Sequence, residues 1–255
     1  MMEKKVKIRS NWLAHEKNIS DSQVNIVCFP FAGGSASYFA SWGKCISDSV
    51  GLMPVLYPMR ELRMSEPMPE YIDELADMIA GESILFEKKF IMFSHCTGSL
   101  VAYETARKLM EKYGVSPDFF VTASEPSPRK TIVNRAVFDM DDNEFANYAV
   151  SLKLLSSDMV KNADFMRYYF PAFKADFLMH QRYDAEAPAF TLECPILALR
   201  GSEDELSTRE IISDWSKYTE SGFEYHEFTG GHFFIDQHKN EVIALILEAY
   251  ERIGG

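Results

Sequence analysis

Short β-rich runs alternate with amphipathic helical segments along this 255-residue chain, and that alternation limits its possible folds more than any other feature. The runs "VNIVCFP" (24–30), "MPVLYP" (53–58), "KKFIMF" (88–93), "DFFVTA" (118–123), "PILALR" (195–200) and "FEYHEF" (223–228) read as strands. Helical patterns occupy 68–80, 99–113, 208–218 and 236–253. Parallel strands need a crossover, usually a helix, so strands alternating with helices imply a mainly parallel sheet with helices on both faces. From about 131 to 190 no convincing strand occurs, and helical stretches rich in Met, Phe, Tyr and Leu take over. Within that interval Asp141 or Asp142 can cap the segment "DDNEFANYAVSLKLL". An α/β core of residues 1–130 and 191–255, with a helical lid inserted at 131–190, is the expected organisation.

Composition excludes several classes of function. A formal net charge of −12 opposes a nucleic-acid partner, which calls for clustered Lys and Arg. No apolar run approaches the roughly 20 residues of a membrane span. The opening "MMEKKVKIRSNWLAHEKN" has a basic end without the apolar segment of a signal peptide, so a cytoplasmic location is expected. The four cysteines, Cys28, Cys45, Cys96 and Cys194, include no CxxC pair and no nearby His at metal-ligand spacing. They read as free thiols, with Cys28 and Cys194 as small hydrophobes in or beside strands.

Cys96 is different. In "FIMFSHCTGSLVAYETARKLMEKYG" it stands where a buried strand turns into a helix. A nucleophile at such an elbow has strained backbone geometry and needs small residues two positions to either side, which Ser94 and Gly98 provide. The helix that follows directs its first N–H groups toward the thiol, an arrangement that favours a thiolate and a neighbouring oxyanion. The pattern S-x-C-x-G is weak alone, but candidate partners follow in the order nucleophile, acid, histidine. "ALRGSEDELST" offers Asp204, between Glu203 and Glu205, and "TGGHFFID" offers His232 after two glycines. Both lie in loops at the carboxyl ends of strands, where open α/β sheets place their sites. Of the other histidines, His15 is N-terminal, His95 adjoins Cys96 but would point away along the turn, His180 is in the insertion, His226 lies in a strand and His238 on the last helix. "CFPFAGGSASYFASW" leaves the first strand through Pro30, Gly33 and Gly34, so N–H groups near Phe31 and Ala32, with that of Thr97, can form an oxyanion hole. The plainer alternative is a glycine turn with Ser35 or Ser37 capping a helix.

These segments resemble, over nearly the whole length, the type II thioesterases of nonribosomal peptide and polyketide synthesis, members of the α/β-hydrolase fold. "CFPFAGGSASYFASW" is similar to the family's Phe-Pro-x-Ala-Gly-Gly segment, "FSHCTGSLVAYETAR" to its Gly-His-Ser-x-Gly elbow, "FPAFKADF" to its Leu-Pro-x-x-Arg-Ala-Asp segment and "GGHFFI" to its histidine loop. Three departures stand out: Cys96 replaces the nucleophilic serine, Ser94 the first elbow glycine, and Met59 in "PMRE" the glycine of a Pro-Gly-Arg-Glu turn.

The resemblance implies hydrolysis of acyl or aminoacyl thioesters held on the phosphopantetheine arm of carrier domains, through Cys96, His232 and Asp204. It implies no metal and no cofactor beyond the phosphopantetheine of the substrate, no membrane, and a monomer. Phe165, Tyr168, Phe173 and Phe177 of the insertion are expected to line the acyl pocket. Two rivals have other predictions: a non-catalytic relative would have lost Asp204 and His232 as well, and a hydrolase of small esters or lactones would prefer oxygen esters. A thiol nucleophile also admits acyl transfer between carriers or to another acceptor, because it keeps the acyl group activated.

Overall fold

Strands β1 (Val24–Phe29), β2 (Val50–Pro54), β3 (Phe90–His95), β4 (Phe119–Ala123), β5 (Ile196–Gly201) and β6 (Phe223–Phe228) form one sheet in the order β2-β1-β3-β4-β5-β6. Every neighbouring pair is parallel. The structure, a computed structural model, describes residues 10–254; the basic residues at the start of the chain lie outside it.

Alternation of side chains along each strand divides the core in two. Val27, Phe29, Phe90, Met92, Phe120, Ile196 and Ala198 face α1 (Ile72–Ala80) and α2 (Thr97–Tyr113). Ile26, Cys28, Ile91, Phe93, Val121, Leu197 and Leu199 face α8 (Ile235–Gly254) and the 3-10 segment Ala36–Lys44, whose Phe39 and Trp42 are buried. Helices on both faces of a parallel sheet, as expected, make this the α/β-hydrolase fold.

Two boundaries differ from the sequence reading. The second strand is Val50–Pro54 rather than 53–58, because the chain changes partners after Pro54. The Leu56 N–H donates to the Trp12 carbonyl at 2.8 Å, and Val55 bridges Leu13 in antiparallel fashion. The first helix starts at Ile72, not near Met68, since Pro69 disfavours helical geometry at the residue before it.

Between β4 and β5 the chain forms α3 (Asp142–Ser151), α4 (Ser157–Lys161), α5 (Ala163–Tyr168) and α6 (Phe170–Gln181). Asp141 caps α3, accepting from the N–H groups of Asn143 and Glu144 at 2.8 and 2.9 Å, while Glu144 returns a capping-box bond. Pro171 in the first turn of α6 marks the break from α5. These helices share a core of their own, with Phe145 fully buried at its centre against Phe170, Phe173 and Phe177.

A separate core predicts separate opening. Phe145→Ala, which should cost about 3–5 kcal/mol, is expected to speed amide hydrogen exchange across residues 142–181 while β1 to β6 keep their protection. Equal loss of protection in the sheet would show that insertion and sheet open as one unit.

Candidate active site

Backbone geometry at the end of β3 singles out Cys96. It has φ 52° and ψ −136°, a conformation that costs on the order of 1–3 kcal/mol outside glycine. Two bonds hold it there: the Cys96 N–H donates to the Ala123 carbonyl at 2.9 Å, and the Cys96 carbonyl accepts from the Ser99 N–H at 2.7 Å. Gly98 allows the turn to close, since a Cβ there would lie 2.5 Å from the Phe29 carbonyl oxygen. Ser94 takes the other small position and buries its hydroxyl in a 2.8 Å bond to the Val121 carbonyl.

After β5 and β6 two loops bring acid and base together. The His232 Nδ1–H donates to Asp204 Oδ2 at 3.0 Å, with both side chains buried. This approach depends on Gly201, where a Cβ would meet the Gly231 carbonyl oxygen at 2.2 Å. The N–H groups of Ser202 and Glu203 then bond to the carbonyls of Phe228 and Gly230, stitching the loops together. On the far side of His232, the ring of His95 is fully buried and its pKa is depressed to about 3, by burial first and the charge of His232 second. Neutral His95 donates from Nε2 to the His232 carbonyl at 2.9 Å and so fixes the histidine loop.

Burial alone would depress the His232 pKa, but negative charge on Cys96, together with the Asp204 carboxylate, overcomes it and raises the value to about 10. The influence of Cys96 is chiefly coulombic, because His232 Nε2 has no hydrogen-bond partner among the described residues. Burial pushes the Asp204 carboxyl upward, and the bond and charge of His232, the Ser124 hydroxyl and the Leu206 N–H at 3.0 Å together outweigh it, leaving its pKa lowered. The arrangement therefore holds a charged imidazole, oriented by a carboxylate, beside Cys96.

Cys96, Thr97, His232, Phe31 and Ala32 all border one cavity of about 140 Å³, with Phe173 and Phe177 of α6 on its far wall. Asp204 lies behind His232 and does not line it. A wider, open groove of about 630 Å³ adjoins the cavity at Phe31, Ala32 and Phe173. Phe165 lines this groove, not the cavity, with its ring stacked on Tyr169. Tyr168, expected in the acyl pocket, borders neither space: it is 48% exposed with the Arg167 guanidinium over its ring. Tyr169, one position on and itself 61% exposed, borders the groove instead, at the break between α5 and α6.

The loop after β1 is more than a glycine turn. Ser35 does not cap the 3-10 segment; its hydroxyl bonds to Glu61, which also accepts from the Ser37 N–H at 2.9 Å. The Gly33 N–H donates to Asp176 Oδ2 at 2.8 Å, and that of Gly34 to the Phe31 carbonyl at 2.8 Å. Asp176 in turn receives both terminal nitrogens of Arg60, at 2.7 and 2.9 Å, while Arg60 also donates to the Gly34 carbonyl at 2.7 Å. Asp176 and Arg60 had no role in the sequence reading, although both fall in its quoted segments "FPAFKADF" and "PMRE".

A strained cysteine at a strand-to-helix elbow, with a bonded Asp–His pair on the loops after β5 and β6 of a parallel sheet, has the layout of an α/β-hydrolase site. Residues 24–250 match the family model described as thioesterase domain, and the chain belongs to that family. It is 30% identical over 233 residues to thioesterase PikA5 of Streptomyces venezuelae, covering 91% of this chain and 82% of that one. The medium-chain S-acyl fatty acid synthase thioesterase of Rattus norvegicus is 31% identical over 229 residues, covering 87% and 85% of the two chains. Among solved structures, the type II thioesterase BorB from the borrelidin biosynthetic cluster superposes with a TM-score of 0.82 at 26% identity, covering 95% of this chain and 99% of that one.

Two measurements test this geometry. A raised folded-state pKa for His232 means that the native protein holds a proton that the unfolded chain releases near pH 6.5. That contribution to stability is complete below about pH 6.5 and is lost as pH rises toward about 10. Denaturation midpoints of the wild type should therefore fall through this window more steeply than those of His232→Gln; parallel profiles would contradict the pairing. Asp176→Asn should cost about 3–5 kcal/mol, because it strands Arg60 in the interior, and Arg60→Met combined with Asp176→Leu should recover much of the loss. A double variant no better than the single would show that the pair's charge is not the source.

Proposed function

We propose that the protein is a type II thioesterase that hydrolyses acyl or aminoacyl thioesters from the phosphopantetheine arms of carrier domains in nonribosomal peptide or polyketide biosynthesis. The observation that carries this reading is the buried His232–Asp204 pair, whose imidazole is charged by its proximity to Cys96 at the rim of the cavity. Similarity to PikA5 and BorB supports the substrate class.

In the first half-reaction Cys96 enters with its proton already on His232 Nε2, and Sγ attacks the thioester carbonyl carbon. The negative charge that develops on the carbonyl oxygen is met by N–H groups of Phe31, Ala32 and Thr97. Gly33 and Gly34 are committed to Asp176 and Phe31, which leaves the two preceding residues of that loop for this role. When the carbon–sulfur bond to pantetheine breaks, His232 returns the proton to the departing thiolate. Water then enters, gives its proton to His232 and attacks the acyl–Cys96 carbonyl. The tetrahedral adduct collapses to a free acid and the Cys96 thiolate. Asp204 holds the imidazole in one orientation throughout. No cofactor is required, because the activated bond is already on the substrate. In this reading α3 to α6 act as a lid whose residues Phe173 and Phe177 contact the acyl group, and the protein works as a cytoplasmic monomer.

The thiol itself favours a second reading, acyl transfer to a second carrier thiol or to an amine. An acyl group on Cys96 remains a thioester, so exchange with another thiol is nearly energy-neutral. Intact mass after incubation with an acyl-carrier thioester should show an acyl adduct on the wild type and none on Cys96→Ala; an adduct that persists in Cys96→Ala would remove Cys96 from the mechanism. Two carriers assayed together separate the readings. Hydrolysis predicts free acid as the main product from the wild type, with Cys96→Ser retaining turnover. Efficient carrier-to-carrier movement with negligible acid, lost in Cys96→Ser, would establish transfer instead.

A further inference from the structure

The cavity next to Cys96 has a mostly apolar wall into which a few polar side chains, one of them a carboxylate, are set. Glu125, in the loop after β4, is 3% exposed and lines it together with His180 of α6. His180 Nε2 lies 2.9 Å from Glu125 Oε1. The protonation state of His180 follows from its other neighbour. The Asn134 backbone N–H can only donate, so it fixes Gln181 Oε1 as its acceptor and leaves the Gln181 amide nitrogen facing His180 Nδ1 at 3.0 Å. That nitrogen donates, Nδ1 accepts, and the one proton of a neutral ring sits on Nε2, where it donates to Glu125. His180 therefore binds the carboxylate without neutralising it.

No Lys or Arg among the described residues lines the cavity. Two hydroxyls that do line it are buried: Ser207 Oγ has no hydrogen-bond partner among the described residues, and Ser124 Oγ faces the Asp204 carboxylate, whose pKa it helps to lower, with its lone pairs left free to accept. Leu152, Leu154, Phe173 and Phe177 make up much of the rest of the wall. A carboxylate kept in such surroundings without a counter-ion is costly, as is a hydroxyl left unpaired. An ammonium group supplies both needs at once: one positive charge for Glu125, and three N–H donors to share among a carboxylate and two hydroxyl oxygens. Size sets a further limit. At about 140 Å³ the cavity is close to the roughly 150 Å³ that accepts a benzene ring. With the carrier arm in the adjoining groove, it holds an acyl group of about six non-hydrogen atoms.

We infer that the acyl pocket selects a short aminoacyl group, whose cationic amine is bound by the Glu125 carboxylate with help from Ser124 and Ser207. This rests on the thioesterase reading above and narrows its substrate to amino acids or short amino acids with the amine further along the chain. Glu125 is a specificity determinant here, oriented by His180 and by the 2.9 Å bond from Trp215 Nε1–H to its own carbonyl.

The test uses matched pairs of pantetheine thioesters: alanyl against 2-methylpropanoyl, 3-aminopropanoyl against butanoyl, and 4-aminobutanoyl against pentanoyl, with 3-hydroxypropanoyl as a neutral polar control. Acylation of Cys96 is followed by intact mass. In at least one pair the amine should react faster than its isostere by about ten-fold or more, and Glu125→Gln, shown to be folded by its melting transition, should bring that ratio toward one. Ketone analogues, with methylene in place of the thioester sulfur, provide a readout that needs no turnover: those bearing the amine should protect Cys96 from iodoacetamide at lower concentration. Adducts formed without preference for the amine, a preference for the hydroxyl, or a preference that survives in Glu125→Gln would each overturn the inference while leaving the thioesterase reading intact. Amine-selective protection by the ketones with no acyl adduct from any thioester would do the reverse.

Discussion

The buried ion pair between Arg60 and Asp176 ties three distant stretches of chain to one point. Arg60 belongs to the loop after β2 and Asp176 to α6 of the insertion, and both bond to the backbone of Gly33–Gly34 after β1. Such a pair adds little net stability, because removing two charges from water offsets most of their attraction. Its effect is geometric. A bidentate guanidinium and carboxylate tolerate little displacement, so the loop that borders Cys96 on one side keeps its position only while α6 keeps its own. The insertion is thus coupled to the site by the polar bonds of Asp176, midway along α6, and one turn further on by His180 to Glu125, while most of its apolar side chains form a core of their own.

Convergence of the remaining groups follows from topology. In a sheet with every strand parallel, all loops at the carboxyl ends emerge on one edge. Phe31, Cys96, Glu125, Asp204 and His232 follow β1, β3, β4, β5 and β6 respectively. Side-by-side strands bring these loops near one another, but bonding distance requires closer packing than side chains permit. Gly98 and Gly201 remove that obstacle, each at a point where a neighbouring carbonyl oxygen occupies the space of a Cβ. The strain at Cys96 is retained because the β4 carbonyl at Ala123 and the helix N–H at Ser99 fix its peptide groups on both sides.

Much of this was legible in the sequence, for reasons that vary from residue to residue. The six strands announce themselves because fully buried parallel strands are continuous apolar runs; only β2 shifted, since no local signal reveals that residues 55–56 pair with the N-terminal segment. Cys96, Asp204 and His232 could be picked out because an elbow and two post-strand loops impose local patterns of small residues. Glu125, His180 and the Arg60–Asp176 pair carry no such pattern. Each acquires meaning only when two elements more than 50 residues apart meet, at separations of 55 and 116 positions. Tyr168 was misjudged for a related reason: helical phase restarts at α6, and composition alone cannot say which of two adjacent, exposed tyrosines borders the groove.

On the proposed reading, the fate of the acyl group depends on access more than on bond energy. Exchange between Cys96 and a carrier thiol runs in both directions with an equilibrium constant near unity, so hydrolysis is the exit that does not reverse. The acyl group occupies the small cavity, and the departing arm must leave by the open groove past Phe31, Ala32 and Phe173. Water and a second carrier arm use that same side. While the first arm remains in the groove it excludes both, and the acyl group can only return to it. Once it leaves, water arrives at once, whereas a second carrier must dock by diffusion against the chain's net charge of −12 if it too is acidic. On that reading a thiol nucleophile whose departing arm and acceptor share one groove favours release as free acid, and transfer needs a carrier bound nearby before the first arm departs.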